Sequence, residues 1–233
     1  MSIDIYADAL SDLFPKGRYD GNVRLGYQSH EVSNDREDEV AIGVELHFET
    51  AAYYGVQAGA TLFTSYGNGK EGFEGVQFFD EENDNYAILG EAYLKGTFSN
   101  TVITLGRQTF DTPFADSDDI GMVRNTFEAF TMVNKDIDGT TLSIAQVQKW
   151  SGVDSPYPGS FTEVNGDTGM QIVGINYEGI DKTTLAGWFY NLSGEVKISY
   201  LEANYEDETE RLEYGGILQY AFQDYENGES STI

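Results

Sequence analysis

The stretch Asp38 to Thr50, "DEVAIGVELHFET", restricts the fold more than any other part of the chain. Val40, Ile42, Val44, Leu46 and Phe48 recur at every second position, with Glu39, Glu45, His47 and Glu49 on the alternate positions. A period of two belongs to a β-strand, because successive side chains of a strand point to opposite faces. The same pattern sets Val23, Leu25 and Tyr27 against Asn22, Arg24 and Gln28, and Leu218, Tyr220 and Phe222 against Gln219 and Gln223. In order, the alternation predicts eleven strands at about 19–28, 38–50, 55–66, 86–98, 100–110, 127–135, 140–151, 170–178, 182–191, 196–206 and 211–224. Residues 1–18 form an N-terminal segment with a short amphipathic helical pattern ended by Pro15, and residues 19–233 form one β domain.

Connection lengths carry a second signal. Long ones, 29–37, 67–85, 111–126 and 152–169, alternate with short ones, 51–54, 99–100, 136–139 and 179–181. An up-and-down meander with one elaborated and one plain end has this rhythm. The short connection at 192–195 breaks it.

Composition narrows the function. Forty acidic residues against 13 basic ones give a net charge of −27, which repels nucleic-acid phosphates. The absence of cysteine removes disulfides and thiolate ligands, and two histidines, His30 and His47, are too few for a His-rich metal site. No run approaches the roughly 18 apolar residues of a membrane-spanning helix. The N-terminus has no basic, then apolar, secretory signal.

Alternating strands of about ten residues suit two architectures that use the apolar face in opposite ways. A soluble β-rich protein, such as a secreted carbohydrate-binding or carbohydrate-active one, turns that face into a core. A transmembrane barrel turns it to lipid and keeps charge inside. The polar face here carries Arg24, Glu45, His47, Glu49, Glu91 and Lys95, and aromatics near strand ends, including Tyr53, Tyr54, Phe98 and Trp150, stand where interfacial girdles would. The orientation of Val40, Ile42, Val44, Leu46 and Phe48 decides between the two. If those side chains meet in a closed core, the membrane barrel fails.

The central block points to a family. "YAILGEAYL" at Tyr86 to Leu94, "GRQ" at Gly106 to Gln108, "TPFAD" at Thr112 to Asp116, "DDI" at Asp118 to Ile120 and "NTFEAF" at Asn125 to Phe130 resemble the OprD-type substrate-specific porins of Gram-negative outer membranes, with weaker echoes at "KWSGVD" and "LQYAFQ". The resemblance implies an all-β, antiparallel up-and-down transmembrane β-barrel of about 18 strands. The eleven strands read here would be its N-terminal part, and the polar ending "GESSTI" offers no aromatic closing strand. It also implies passive diffusion of small hydrophilic solutes or ions, outer-membrane lipid as surroundings, frequent packing as homotrimers, no enzymatic activity and no cofactor.

In that family the third outer loop folds inward as a constriction. Counting long connections places this loop at Asp111, Asp116, Asp118, Asp119 and Arg124. A ladder of basic side chains would have Arg24, Lys95, Arg107 and Lys149 as its candidates. Arg124 is a departure, since the family usually has proline just before the Asn-Thr-Phe-Glu segment. Taken alone, the four aspartates also suggest a hard-cation site, but the ligand spacing of an EF-hand loop is missing. Carboxylate pairs for glycoside hydrolysis carry little weight among 40 acids. "GNGKEGFEG", Gly67 to Gly75, lacks the Lys-Ser/Thr of a phosphate loop and is expected to be a mobile outer loop. Arg107 poses a puzzle: alternation from Ile103 and Leu105 aims it at lipid, so either a bulge after Gly106 turns it or it lies above the hydrocarbon. Lys149, beside Trp150, suits lumen or girdle equally.

Overall fold

The computed structural model describes residues 6–32, 35–68, 78–80, 84–209, 212–226 and 230–232. Among them are thirteen strands: β1 (Arg18–Val32), β2 (Asp35–Glu49), β3 (Val56–Asn68), β4 (Tyr86–Phe98), β5 (Thr101–Gln108), β6 (Thr126–Asn134), β7 (Thr140–Ser151), β8 (Thr162–Glu163), β9 (Met170–Ile180), β10 (Thr183–Leu192), β11 (Val196–Thr209), β12 (Leu212–Tyr225) and β13 (Ser230–Thr232). They are hydrogen-bonded in chain order, with the two-residue β8 added to β7 off the main path. A 3-10 turn, Leu10–Asp12, precedes them. Each of the eleven expected strands is present, so the chain is an all-β antiparallel meander.

Two expectations change. Residues 29–37 are not a long loop, because β1 runs to Val32 and β2 begins at Asp35. Their register continues in pairs such as Gln28 with Glu39 and Ser29 with Asp38, so polar residues that looked like loop extend the ladder instead. At the other end, Ser230 to Thr232 pair with Asp224 to Phe222, a short strand that the polar "GESSTI" did not suggest. The run "GNGKEGFEG" lies outside the described residues from 69 onward.

The described chain divides into two units. One comprises Met1–Gly96, Thr104–Ala129 and Lys149–Glu163; the other comprises Thr97–Ile103, Phe130–Gln148 and Val164–Ile233. In the first, Val23, Leu25, Val40, Ile42, Leu46, Leu62, Leu89 and Leu94 stand exposed on one face of β1 to β4, with Leu25 at 81%. Val44 and Phe48 are half-buried, and Phe48 lies against the rings of Phe14 and Tyr19. In the second unit, Ile144, Val173 and Phe189 form a cross-strand row, again exposed.

Magnitude settles the use of that face. Leaving eight such side chains largely uncovered in water forgoes on the order of 10 kcal/mol. That is as much as the whole stability of an ordinary domain. The apolar stripe therefore does not form the closed core that a soluble protein needs; it is a surface suited to lipid.

The opposite face of the first unit carries the loops, and it is not polar throughout. Ala41, Phe63, Phe78, Phe79, Tyr86, Ile88, Met122 and Val123 form a buried cluster, joining β2, β3 and β4 to segments from the β3–β4 and β5–β6 connections. Gly26 and Gly43 provide the seat. A Cβ at Gly26 would lie 2.6 Å from Met122 Cε and 2.7 Å from Phe78 Cζ, so any larger residue there would push these two loop side chains away from the strand. On β4 the alternation slips at Gly90: Thr61 pairs with Glu91, while Leu62 pairs with Leu89. This bulge puts Ile88 and Glu91 on the same face although they are three positions apart, an odd step in the alternation.

Candidate functional site

Below the apolar cluster, the loop-bearing face is a wall of charge. Register aligns Asp20, His47, Thr61 and Glu91 in one row across β1 to β4, and Arg18, Glu49, Gly59 and Tyr93 in the next. These rows line a cleft of about 520 Å³, with Asn22, Glu45, Gln57, Lys95, Thr109 and Arg124 among its other walls. Four carboxylates line it, from Asp20, Glu45, Glu49 and Glu91, against three permanent cations, from Arg18, Lys95 and Arg124.

Three of the four carboxylates have a permanent cation beside them. Arg18 Nε is 2.9 Å from Asp20, and Lys95 Nζ is 2.6 Å from Glu49. Glu49 also accepts the Tyr93 hydroxyl at 2.8 Å and Gln57 Nε2 at 2.9 Å. Glu91 accepts the Thr61 hydroxyl through one oxygen and, through the other, the Thr109 amide at 3.3 Å and hydroxyl at 3.1 Å. His47 Nδ1 is 2.7 Å from Thr61 Oγ1 and 3.5 Å from Glu91.

The β5–β6 connection, residues 109–125, is tied to this wall by a four-member cluster. Arg24 on β1 donates to Asp119 through both terminal nitrogens and to the Gly121 carbonyl at 3.1 Å. Arg124 donates to both oxygens of Glu45, at 3.2 and 2.9 Å, and lies 3.5 Å from Asp119. Glu45, only 13% exposed, accepts Asn22 at 2.7 Å and Arg24 at 3.4 Å as well. Two carboxylates and two guanidiniums thus alternate, which lets four charges sit in a partly dry place. Hydrogen bonding from Arg24 holds the Asp119 carboxyl below its usual range, with Arg124 and Arg24 adding their charge. The neighbouring Asp118 shifts the other way, raised by desolvation and by the charges of Asp154, Asp116 and Asp119.

The loop has its own scaffold. Asp111 accepts the Ser117 amide at 2.9 Å and its hydroxyl, and the Asn125 amide donates to Ser117 O at 2.8 Å. Asn125 and Asp154 exchange two hydrogen bonds, at 2.7 and 3.1 Å. Gly152, at φ +129°, lies so close to Asn125 that a Cβ would fall 2.5 Å from its Cα.

The residues expected from sequence are therefore dispersed. Of the four aspartates, Asp119 is bonded to the wall, Asp111 serves the loop itself, Asp116 is exposed and Asp118 is half-buried. Among the described residues no three His, Asp or Glu side chains converge as metal ligands. Of the basic ladder, Arg24 and Lys95 face the cluster and the cleft. Arg107 lies elsewhere: it sits 3.4 Å from Glu128, donates to Leu89 O at 3.3 Å and covers the Phe161 ring at 4.3 Å. Gly106, at φ +118°, supplies a backbone irregularity just before it. Lys149 stands opposite Glu163 in the β7–β8 register and outside the cleft. Sequence reasoning missed Asp20, Thr61 and Tyr93 in the wall, and Gly26 and Gly43 as the loop's seat; both glycines occupy polar-face positions of the alternation, which was the available signal.

The family model for the outer membrane porin, OprD family, matches residues 36–228. Solved structures with the same fold include the outer membrane protein OpdK of Pseudomonas aeruginosa, at 19% identity and a TM-score of 0.77, covering 91% of this chain and 58% of that one. A BenF-like porin of Pseudomonas fluorescens follows at 18% identity and a TM-score of 0.75, covering 89% and 58%. OccAB1 of Acinetobacter baumannii has 16% identity and a TM-score of 0.73, covering 91% and 54%. The chain thus spans somewhat more than half the length of these structures, and the likeness to them is one of fold. No curated sequence relative matches the chain.

Proposed function

From the premise that this chain belongs to the OprD family of outer membrane porins, we propose that it supplies the charged wall and the constricting loop of a passive channel for small hydrophilic solutes or ions. Residues 19–233 contribute strands to one barrel in the outer membrane of a Gram-negative bacterium, and assembly as a homotrimer belongs to the same proposal. The observation that carries it is the Arg24–Asp119 and Glu45–Arg124 cluster, which binds the β5–β6 connection to the polar face of the sheet while the apolar face stays uncovered. A loop held this way narrows the path along the wall, and fixed charges there select solutes without covalent chemistry. Arg124 takes part as a cation locked between two carboxylates, so it holds the loop more than it attracts anions.

The cleft's four carboxylates against three permanent cations favour cations. Reversal potentials in planar bilayers under a salt gradient are expected to show cation preference for the full channel. Anion preference, or the absence of conductance steps, would contradict the proposal.

A further inference from the structure

Three of the four carboxylates lining the cleft have a permanent cation beside them, whereas Glu91 has His47, the cleft's one imidazole among the described residues, at 3.5 Å. We propose that His47 is a specificity-determining residue: its protonation cancels the cleft's single excess negative charge and weakens cation preference as pH falls through neutrality. This rests on the channel reading above.

The groups facing His47 come from every element around it. Asp20 is its register partner on β1, with Arg18 two residues away; Glu45 and Glu49 flank it on its own strand; Thr61 and Gln57 stand on β3; Glu91, Tyr93 and Lys95 on β4; and Thr109 and Arg124 come from the β5–β6 connection. Arginine and lysine stay cationic, carboxylates anionic and tyrosine neutral between about pH 5.5 and 8, whereas imidazole ordinarily titrates near 6.5. With three permanent cations and four carboxylates, the lining carries a formal −1 when His47 is neutral and 0 when it is charged.

Hydrogen bonding orients the ring for this. The Thr61 hydroxyl has one proton and donates it to Glu91, so the short contact to Thr61 Oγ1 is a donation from His47 Nδ1. The neutral ring therefore keeps its proton on Nδ1 and takes up the second on Nε2. A relay from His47 through Thr61 to Glu91 ends on the carboxylate that also holds Thr109 at the start of the loop. One imidazole thus adjoins both the charge of the cleft and the root of the loop.

The test is the cation-to-anion permeability ratio of the full channel at pH 8 and pH 5.5, for the wild type, His47→Gln and His47→Lys. The wild-type ratio is expected to fall by roughly threefold on acidification, as one unit charge in a narrow aqueous path would produce. His47→Gln should keep the alkaline ratio at both pH values, and His47→Lys the acidic one. A wild-type ratio that does not change, or a glutamine variant that falls as the wild type does, overturns the proposal while leaving the channel intact. If conductance is missing in all three, the channel reading itself fails. Should either variant not insert, the other still separates the outcomes, because the two lock opposite ends of the titration.

Discussion

Replacing Leu25 with arginine is expected to destabilise the membrane-inserted protein by about 2–4 kcal/mol, the cost of a charge on the lipid face near the bilayer midplane. Leu25 is the middle residue of β1 and is 81% exposed on the apolar face, opposite Ile42. If that face met water, the same change would remove an exposed apolar side chain and stay within about 0.5 kcal/mol of neutral. Urea-titrated folding into phospholipid vesicles measures the difference. A near-neutral Leu25→Arg would contradict the assignment of the apolar face to lipid.

The second large effect concerns Glu45. It accepts from Asn22, Arg24 and Arg124 while only 13% exposed, so Glu45→Ala leaves two guanidiniums sharing Asp119. Removing one partner of a fully buried ion pair costs about 3–5 kcal/mol; the partial exposure of both arginines puts this case near the lower end, at about 2–3 kcal/mol. The charge balance changes as well. The cleft loses one of four carboxylates and keeps its three permanent cations, so cation preference should drop even at pH 8. Glu45→Gln keeps hydrogen-bonding capacity but not charge, and should retain more stability than alanine with the same loss of selectivity. Denaturant midpoints and reversal potentials on the two variants separate these effects.

Much of this was legible in the sequence because alternation in a strand is a local property. Val40, Ile42 and Leu46 on one face, with Glu45, His47 and Glu49 on the other, follow from period two alone and appear so in the structure. Phase was harder. The bulge at Gly90 shifts β4 by one residue, and nothing in "YAILGEAYL" marks Gly90 as unpaired until its partner strand is known. The site was legible only in its ingredients. Arg24 and Asp119 are 95 residues apart, and Glu45 and Arg124 are 79 apart; which loop carboxylate reaches which wall cation depends on how deeply the loop lies. That depth is set by Met122 and Phe78 against Gly26, a steric allowance that a polarity pattern does not record. Arg107 illustrates the same limit, since alternation supplied two destinations and only packing reveals Glu128 and Phe161 as its neighbours. Residues 29–37 looked like a loop because Asp and Glu crowd them, whereas paired edges of a solvated hairpin accept those residues readily.

The constriction proposed for the channel is the β5–β6 connection bound to the charged wall. The sequence contains no cysteine, so Asp118→Cys introduces a single thiol beside the Arg24–Asp119 pair. Single-channel recording before and after a bulky, charged methanethiosulfonate reagent reads the position directly. A stepwise, lasting fall in current is expected as the thiol is modified, reversed by reductant. Unchanged current with complete modification, established by mass spectrometry, would place the loop outside the conducting path and contradict this proposal.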